Sequence, residues 1–166
     1  MSDRTIGRAV ARHKERVSLV LSCVIAYPVP ITERNTESTS TLRLPQRQYW
    51  LHGDVVILFS CLEELRAVND AGRNEPWRIG RAAYFYQLRT PQSRDFLAFH
   101  WHPETSGPVQ FLHLHASSDT APLSHKTHVP TGFVSLGAVV RLLIAEFGVP
   151  PLRDDWQTLV SDEGYA

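Results

Sequence analysis

Cysteine is scarce in this chain. Cys23 and Cys61 are the two in 166 residues, and without a C-x-x-C spacing they give no disulfide framework. Net charge is absent as well. Seventeen basic residues balance seventeen acidic ones, so no global field draws the protein toward nucleic acid or a membrane, and any polyanion site must be local. Lysine is nearly missing: Lys14 and Lys126 apart, the basic residues are arginine, which favours bidentate phosphate contacts, although codon usage produces the same bias. Long apolar runs are missing too. The most apolar stretch, "VSLVLSCVIAY" from 17 to 27, is interrupted by Ser18 and Ser22 and is far short of a membrane span, and no signal-like run opens the sequence. The expectation is a cytoplasmic protein with reduced thiols and no membrane partner. Three catalytic templates are also absent: a phosphate loop, a G-x-S-x-G elbow and an H-E-x-x-H helix.

The length fits a single domain over 1–166, with a mobile N-terminal segment (1–16) and a polar loop (32–41, "TERNTESTST"). Arg4, Arg8, Arg12 and Arg16 recur at four-residue steps, so a helix there carries a basic stripe that can contact phosphate or simply be solvated. Residues 17–28 are β-branched and apolar, and 41–51 alternates around Pro45 as an edge strand does. "VVILF" from 55 to 59 reads as a buried strand. Ser60 with Glu63 three residues on resembles a capping box for a short helix over 61–68, with a longer strand as its competitor. "RAAYFYQLRT", "DFLAFHWH" and "PVQFLHLHA" read as consecutive strands. In "SLGAVVRLLIAEFG", Ser135 caps a helix whose apolar residues recur at helical spacing until Gly148, and a short helix capped by Asp154 follows around 154–160. The fold class is therefore α+β: an antiparallel β-meander of about five to six strands with a C-terminal amphipathic helix packed on one face.

What the sequence has in excess is histidine, locally. "FHWHPETSGPVQFLHLH" (99–115) carries four of the eight histidines as two H-x-H pairs. Side chains two apart on a strand share a face, so His100 aligns with His102 and His113 with His115. An antiparallel register with an odd sum of paired numbers puts all four on one face, and an even sum separates the pairs. The odd register leaves Phe99, Trp101, Leu112 and Leu114 as an apolar wall for the helix, with Phe96, Ala98 and Phe111 beside the imidazoles, and is the one expected. His100, His102, His113 and His115 would then form a candidate site for zinc or another divalent transition metal. H-x-H pairs also occur as half-buried strand residues without any ion.

A second cluster, "PLSHKTH", adds His125, Lys126 and His128 in a proline-bounded loop. Two histidines near a phosphodiester serve as general base and general acid, and a lysine offsets the charge developing on phosphate oxygens. The same residues can equally fix a turn by hydrogen bonds to loop carbonyls.

Across residues 84–147, the segments "YFYQL", "FHWHP", "FLHLH", "PLSHKTH" and "VSLGAVVRLLIAEFG" together resemble the TumE-type family of prokaryotic toxin-antitoxin proteins. By that resemblance His113 and His115 stand for the family's paired histidines, here split by Leu114, and His125, Lys126 and His128 for its later cluster. The resemblance implies a small intracellular effector acting on RNA and restrained by a cognate antitoxin protein.

Three function readings follow. The first is a toxin-like phosphodiesterase or ribonuclease with His113, His115, His125, His128 and Lys126 as catalytic residues and Arg4, Arg8 and Arg12 as substrate contacts. The second is a non-catalytic accessory domain with structural histidines. The third is a metal-dependent hydrolase or oxygenase using the two H-x-H pairs.

Overall fold

Strand-forming residues occupy the middle of the chain, and in the computed structural model they pair into one antiparallel sheet. The structure describes residues 6–35, 40–44, 47–54, 56–69, 77–92, 95–103, 109–117 and 127–161. Eight strands take part: β1 (Thr32–Asn35), β2 (Ser40–Arg43), β3 (Arg47–His52), β4 (Val56–Asn69), β5 (Trp77–Arg89), β6 (Asp95–Trp101), β7 (His113–Ala116) and β8 (Val129–Pro130). Their order is β1-β2-β4-β5-β6-β7-β8, with β3 also paired to β4. The helices are α1 (Ile6–Leu21), α2 (Leu136–Ala145) and α3 (Trp156–Leu159).

Both long helices cover one face of the sheet. Val17, Val20 and Leu21 of α1 and Leu136, Val139, Val140, Leu143 and Ile144 of α2 share one core with Tyr49, Phe59, Cys61, Tyr84, Tyr86 and Leu88 of the strands. Full burial of an aliphatic side chain is worth about 1.5–3 kcal/mol, so these faces hold the two layers together. The expected C-terminal helix forms as read. Ser135 Oγ accepts from the backbone N–H of Ala138 at 3.0 Å, and Gly148 turns the chain at a φ of 63° after the last helical residues. Cys23 and Cys61 are buried free thiols.

Several segments depart from the sequence reading. The helix expected over 61–68 is instead the second half of β4, paired with β5 along its length apart from one bulge. Phe59, Cys61, Glu63 and Leu65 are buried on the helix side, and Ser60 is buried opposite, so both faces of this strand are covered and the capping-box pattern has no helix to cap. Residues 17–21, β-branched and apolar in sequence, continue α1. Val10, Val17, Val20 and Leu21 fall on one helical face, and burying that face outweighs the strand preference of valine. The polar stretch 32–41 contributes β1 and β2, paired from Thr32↔Arg43 to Asn35↔Ser40, while 36–39 lie outside the described residues. Of the segment 1–16, residues 6–16 are helical. The last helix begins at Trp156, and its N-cap Asp155 accepts both guanidinium hydrogen bonds of Arg153 instead of capping.

Two bulges change which side chains face the helices. On β5, pairing steps from Glu64↔Ala83 to Leu65↔Arg81, so Ala82 is extra. Tyr84 and Tyr86 face the core by even number, and beyond the bulge Arg81 does so by odd number. On β6, Leu88↔Leu97 is followed by Arg89↔Asp95, leaving Phe96 extra. Its ring packs 5.5 Å from that of Phe147 at the end of α2, on the core side, and not beside the imidazoles as strict alternation predicts.

Candidate functional site

The register of β6 against β7 decides whether the histidines meet. The pairs are Leu97↔Ala116, Ala98↔His115, Phe99↔Leu114 and His100↔His113, all with an odd sum. His100, His102, His113 and His115 therefore share the face opposite the helices, while Phe99, Trp101 and Leu112 pack against the core. β8 extends the lattice with His113↔Pro130 and Leu114↔Val129, and one further step sets His128 across from His115. Five imidazoles thus converge where sequence alternation alone collects four.

His113 is the hub of the cluster, 1% exposed. Its ring centroid lies 5.4 Å from that of His100, 5.5 Å from His102, 5.0 Å from His115 and 4.9 Å from His128. The rings of His115 and His128 are 4.5 Å apart. His113 Nδ1 lies 2.8 Å from the carbonyl oxygen of Phe111. A carbonyl only accepts, so Nδ1 carries the proton and Nε2 presents its lone pair. This is the arrangement by which a second partner fixes the tautomer of a ligating imidazole.

Among the described residues two trios satisfy the distance test for one ion: His100, His102 and His113, and His113, His115 and His128. Within each, the candidate nitrogens lie within 4.8 Å of one another. Zinc bound at about 2.0–2.1 Å in a tetrahedron holds its nitrogens closer, so modest side-chain rotations complete either trio. Burial, with the repulsion of His115, His113, His102 and His128 added, lowers the pKa of His100 to about 3. Burial likewise pushes His113 below the ordinary imidazole range, against the opposing hydrogen bond to Phe111. Both are neutral near pH 7, the form that coordinates a metal. His100 Nε2 is buried with no hydrogen-bond partner among the described residues, an orphan that an ion would satisfy.

Beside the imidazoles lies a cavity of about 90 Å³ lined by Gln87, Asp95, Ala98, His100, His115 and Ser117. The Arg89 guanidinium donates to the Asp95 carboxylate, and the Ser117 hydroxyl donates to the Asp95 backbone carbonyl. Ala98, on the same row as Gln87 and His115, leaves the space open. Sequence reasoning missed Gln87, Asp95 and Ser117, because their meeting at one cavity depends on the register of three strands and on the bulge at Phe96.

The remaining sequence candidates are not all brought together. Arg8 and Arg12 are exposed on α1, which packs on the opposite face of the sheet, and Arg16 donates to the carbonyl of Ser161 at 3.0 Å. The basic helix and the imidazoles are therefore not two halves of one site. Arg4, His125 and Lys126 lie outside the described residues.

A second polar cluster sits within the helix-covered layer. Glu63, fully buried, accepts hydrogen bonds from Tyr86 Oη and, at 3.3 Å, from Arg81 Nε. The Arg81 guanidinium also lies 4.2 Å over the ring of Phe133. Burial raises the pKa of Glu63 despite Arg81 and Tyr86. Burial, with Arg81 adding to it, lowers His13 on α1 to about 4. The bulge at Ala82 that turns Arg81 inward had no sequence signal.

Among the described residues no helix is long and apolar enough to cross a membrane. The chain matches no protein-family model, no curated protein and no solved structure.

Proposed function

We propose that the histidine face binds a late first-row divalent metal and that the protein is a metal-dependent hydrolase. The observation that carries this reading is the meeting of five imidazoles around His113, whose Nδ1 is tied to the Phe111 carbonyl so that Nε2 carries the lone pair. Donor sets of imidazole alone suit zinc, nickel, cobalt and copper. Neither trio contains a carboxylate, so the two-histidine, one-carboxylate pattern of iron oxygenases is absent from them, which favours hydrolysis over oxygen chemistry.

Three protein ligands leave a coordination position for water, and zinc brings the pKa of such a water to about 7. An ion held by one of these trios would activate a water for attack on the carbonyl or phosphoryl centre of an ester, and the proton given up by that water would go to the leaving oxygen as its bond breaks. The cavity beside His100 and His115 admits only a few heavy atoms. Asp95 at its wall, neutralised by Arg89, favours an uncharged group there over a second anion.

Purified protein is to be stripped with chelator, reloaded with zinc and assayed on an activated carboxylic ester and an activated phosphodiester. Activity that disappears on chelation and returns with zinc supports the reading. A protein that takes up no divalent ion contradicts it.

Metal-free acid–base cleavage of a phosphodiester is the second reading, favoured by the 4.5 Å approach of half-buried His115 to exposed His128. It is the form in which the toxin-like resemblance, with RNA as substrate and an antitoxin as partner, enters. Its phosphate contact would come from Lys126 and not from Arg8 or Arg12, which lie across the sheet. Phosphodiesterase activity that persists unchanged through chelation and fails in His128→Ala supports this second reading and removes the first.

A further inference from the structure

We infer that the site takes one ion, not two, and offers it two alternative seats that share His113: an outer seat of His113, His115 and His128 and an inner seat of His100, His102 and His113. This deepens the metal-binding reading and rests on it.

Both trios require His113. A neutral imidazole has one lone pair, and with Nδ1 donating to the Phe111 carbonyl it lies on Nε2. One lone pair serves one ion, so filling either seat empties the other. An imidazolate bridge between two ions would need Nδ1 as well, and Nδ1 is engaged.

The seats differ in surroundings. His128 is exposed, whereas His100 on β6 and His102 just beyond its end are half-buried. His100 Nε2 is buried and unpartnered, a deficit that an ion in the inner seat removes and an ion in the outer seat leaves standing. The inner seat is therefore the resting position, and the outer seat is where the ion is taken up and meets solvent-borne ligands. An oxygen ligand that binds the ion only at the outer seat draws it outward by its differential affinity for the two positions. The site thereby couples ligand binding to exposure of the ion, with His113 as the pivot.

The test is titration of the metal-depleted full chain with cobalt(II), read by its visible absorption and by metal analysis after gel filtration. Wild type is expected to bind one equivalent. His102→Ala and His128→Ala, at less buried positions than His113, should each still bind one equivalent but with different visible spectra, wild type matching His128→Ala. The double variant, in which neither trio is complete, should remain empty at cobalt concentrations that saturate each single variant. Uptake should slow several-fold in His128→Ala. Two equivalents in wild type overturn the inference, as do loss of cobalt from either single variant, identical spectra in the two, or a full equivalent in the double variant. A wild-type chain that binds no cobalt overturns the metal reading itself and is distinguishable from all of these.

Discussion

The imidazole of His113 is tied through Nδ1 to the carbonyl oxygen of Phe111, 2.8 Å away and two residues earlier in the chain. That bond fixes the tautomer at the centre of five histidine rings and leaves the lone pair on Nε2. Zinc bound to the folded chain and not to the unfolded one stabilises it by mass action, about 2.7 kcal/mol at a hundred times Kd. Thermal unfolding should shift upward with zinc and return to its starting point with chelator. In His113→Ala the zinc-dependent increment should vanish, whatever that substitution does to the baseline. An unchanged increment in the variant would place the ion elsewhere.

Glu63 gives a prediction with a definite sign. Its carboxyl is buried and its pKa raised above 4.5, burial outweighing Arg81 and the hydrogen bond from Tyr86. Between 4.5 and the folded value the native state binds more protons than the unfolded one, so this group's stabilisation is complete below 4.5 and is lost as pH rises through the folded value. Glu63→Gln keeps an acceptor for Tyr86 and should flatten that fall in denaturant titrations from pH 4 to 9. Glu63→Ala leaves the Arg81 guanidinium, whose side chain is 10% exposed, without its carboxylate, at a cost of about 3–5 kcal/mol. A loss in the glutamine variant as large as in the alanine variant would contradict this account.

His13 acts in the opposite direction. Burial and Arg81 lower its pKa from 6.5 to about 4. The unfolded state binds more protons between those values, so the stability linked to neutral His13 is complete above 6.5 and is lost as pH falls toward 4. The two groups partly cancel in mildly acidic solution. His13→Leu should therefore reduce acid sensitivity, and Glu63→Gln should steepen it, in the same pH series of midpoints. Equal slopes in both variants and wild type would remove the linkage.

Two glycines hold the turn between β3 and β4 against the end of α2. Gly148 has a φ of 63°, and a Cβ there would meet the Asp54 carboxylate. A Cβ on Gly53 would press into the backbone of Phe147 and Gly148. The left-handed conformation alone costs a non-glycine residue about 1–2 kcal/mol, and overpacking adds about 1–3 kcal/mol. Gly148→Ala and Gly53→Ala should each lower the chemical-denaturation midpoint by a comparable amount with the unfolding slope unchanged. A midpoint within error of wild type would show that the turn yields.

The histidine face was legible because two signals agreed. H-x-H spacing aligned each pair, and Phe99, Trp101 and Leu112 required an odd register to reach the core, which is the register observed. His128 was read together with His113 and His115 as a working imidazole, but its place directly across from His115 was not, since residues 116–127 separate them in sequence and the return of β8 sets them opposite. The bulges at Ala82 and Phe96 reverse parity, and no local pattern announces them, so neither the Glu63–Arg81 pair nor the packing of Phe96 on Phe147 could be read from alternation. Ser60 and Glu63 imitate a helix cap because Glu63 places a carboxylate at a buried core position of β4 and so breaks the apolar alternation that would have identified the strand.

The most direct test of the histidine centre is anomalous diffraction at the zinc edge from crystals of the zinc-loaded chain. A single strong peak about 2.0–2.1 Å from Nε2 of His113, with two further imidazoles of the cluster coordinating, is the predicted result. A histidine face without anomalous density at saturating zinc, or a peak that excludes His113, would contradict it.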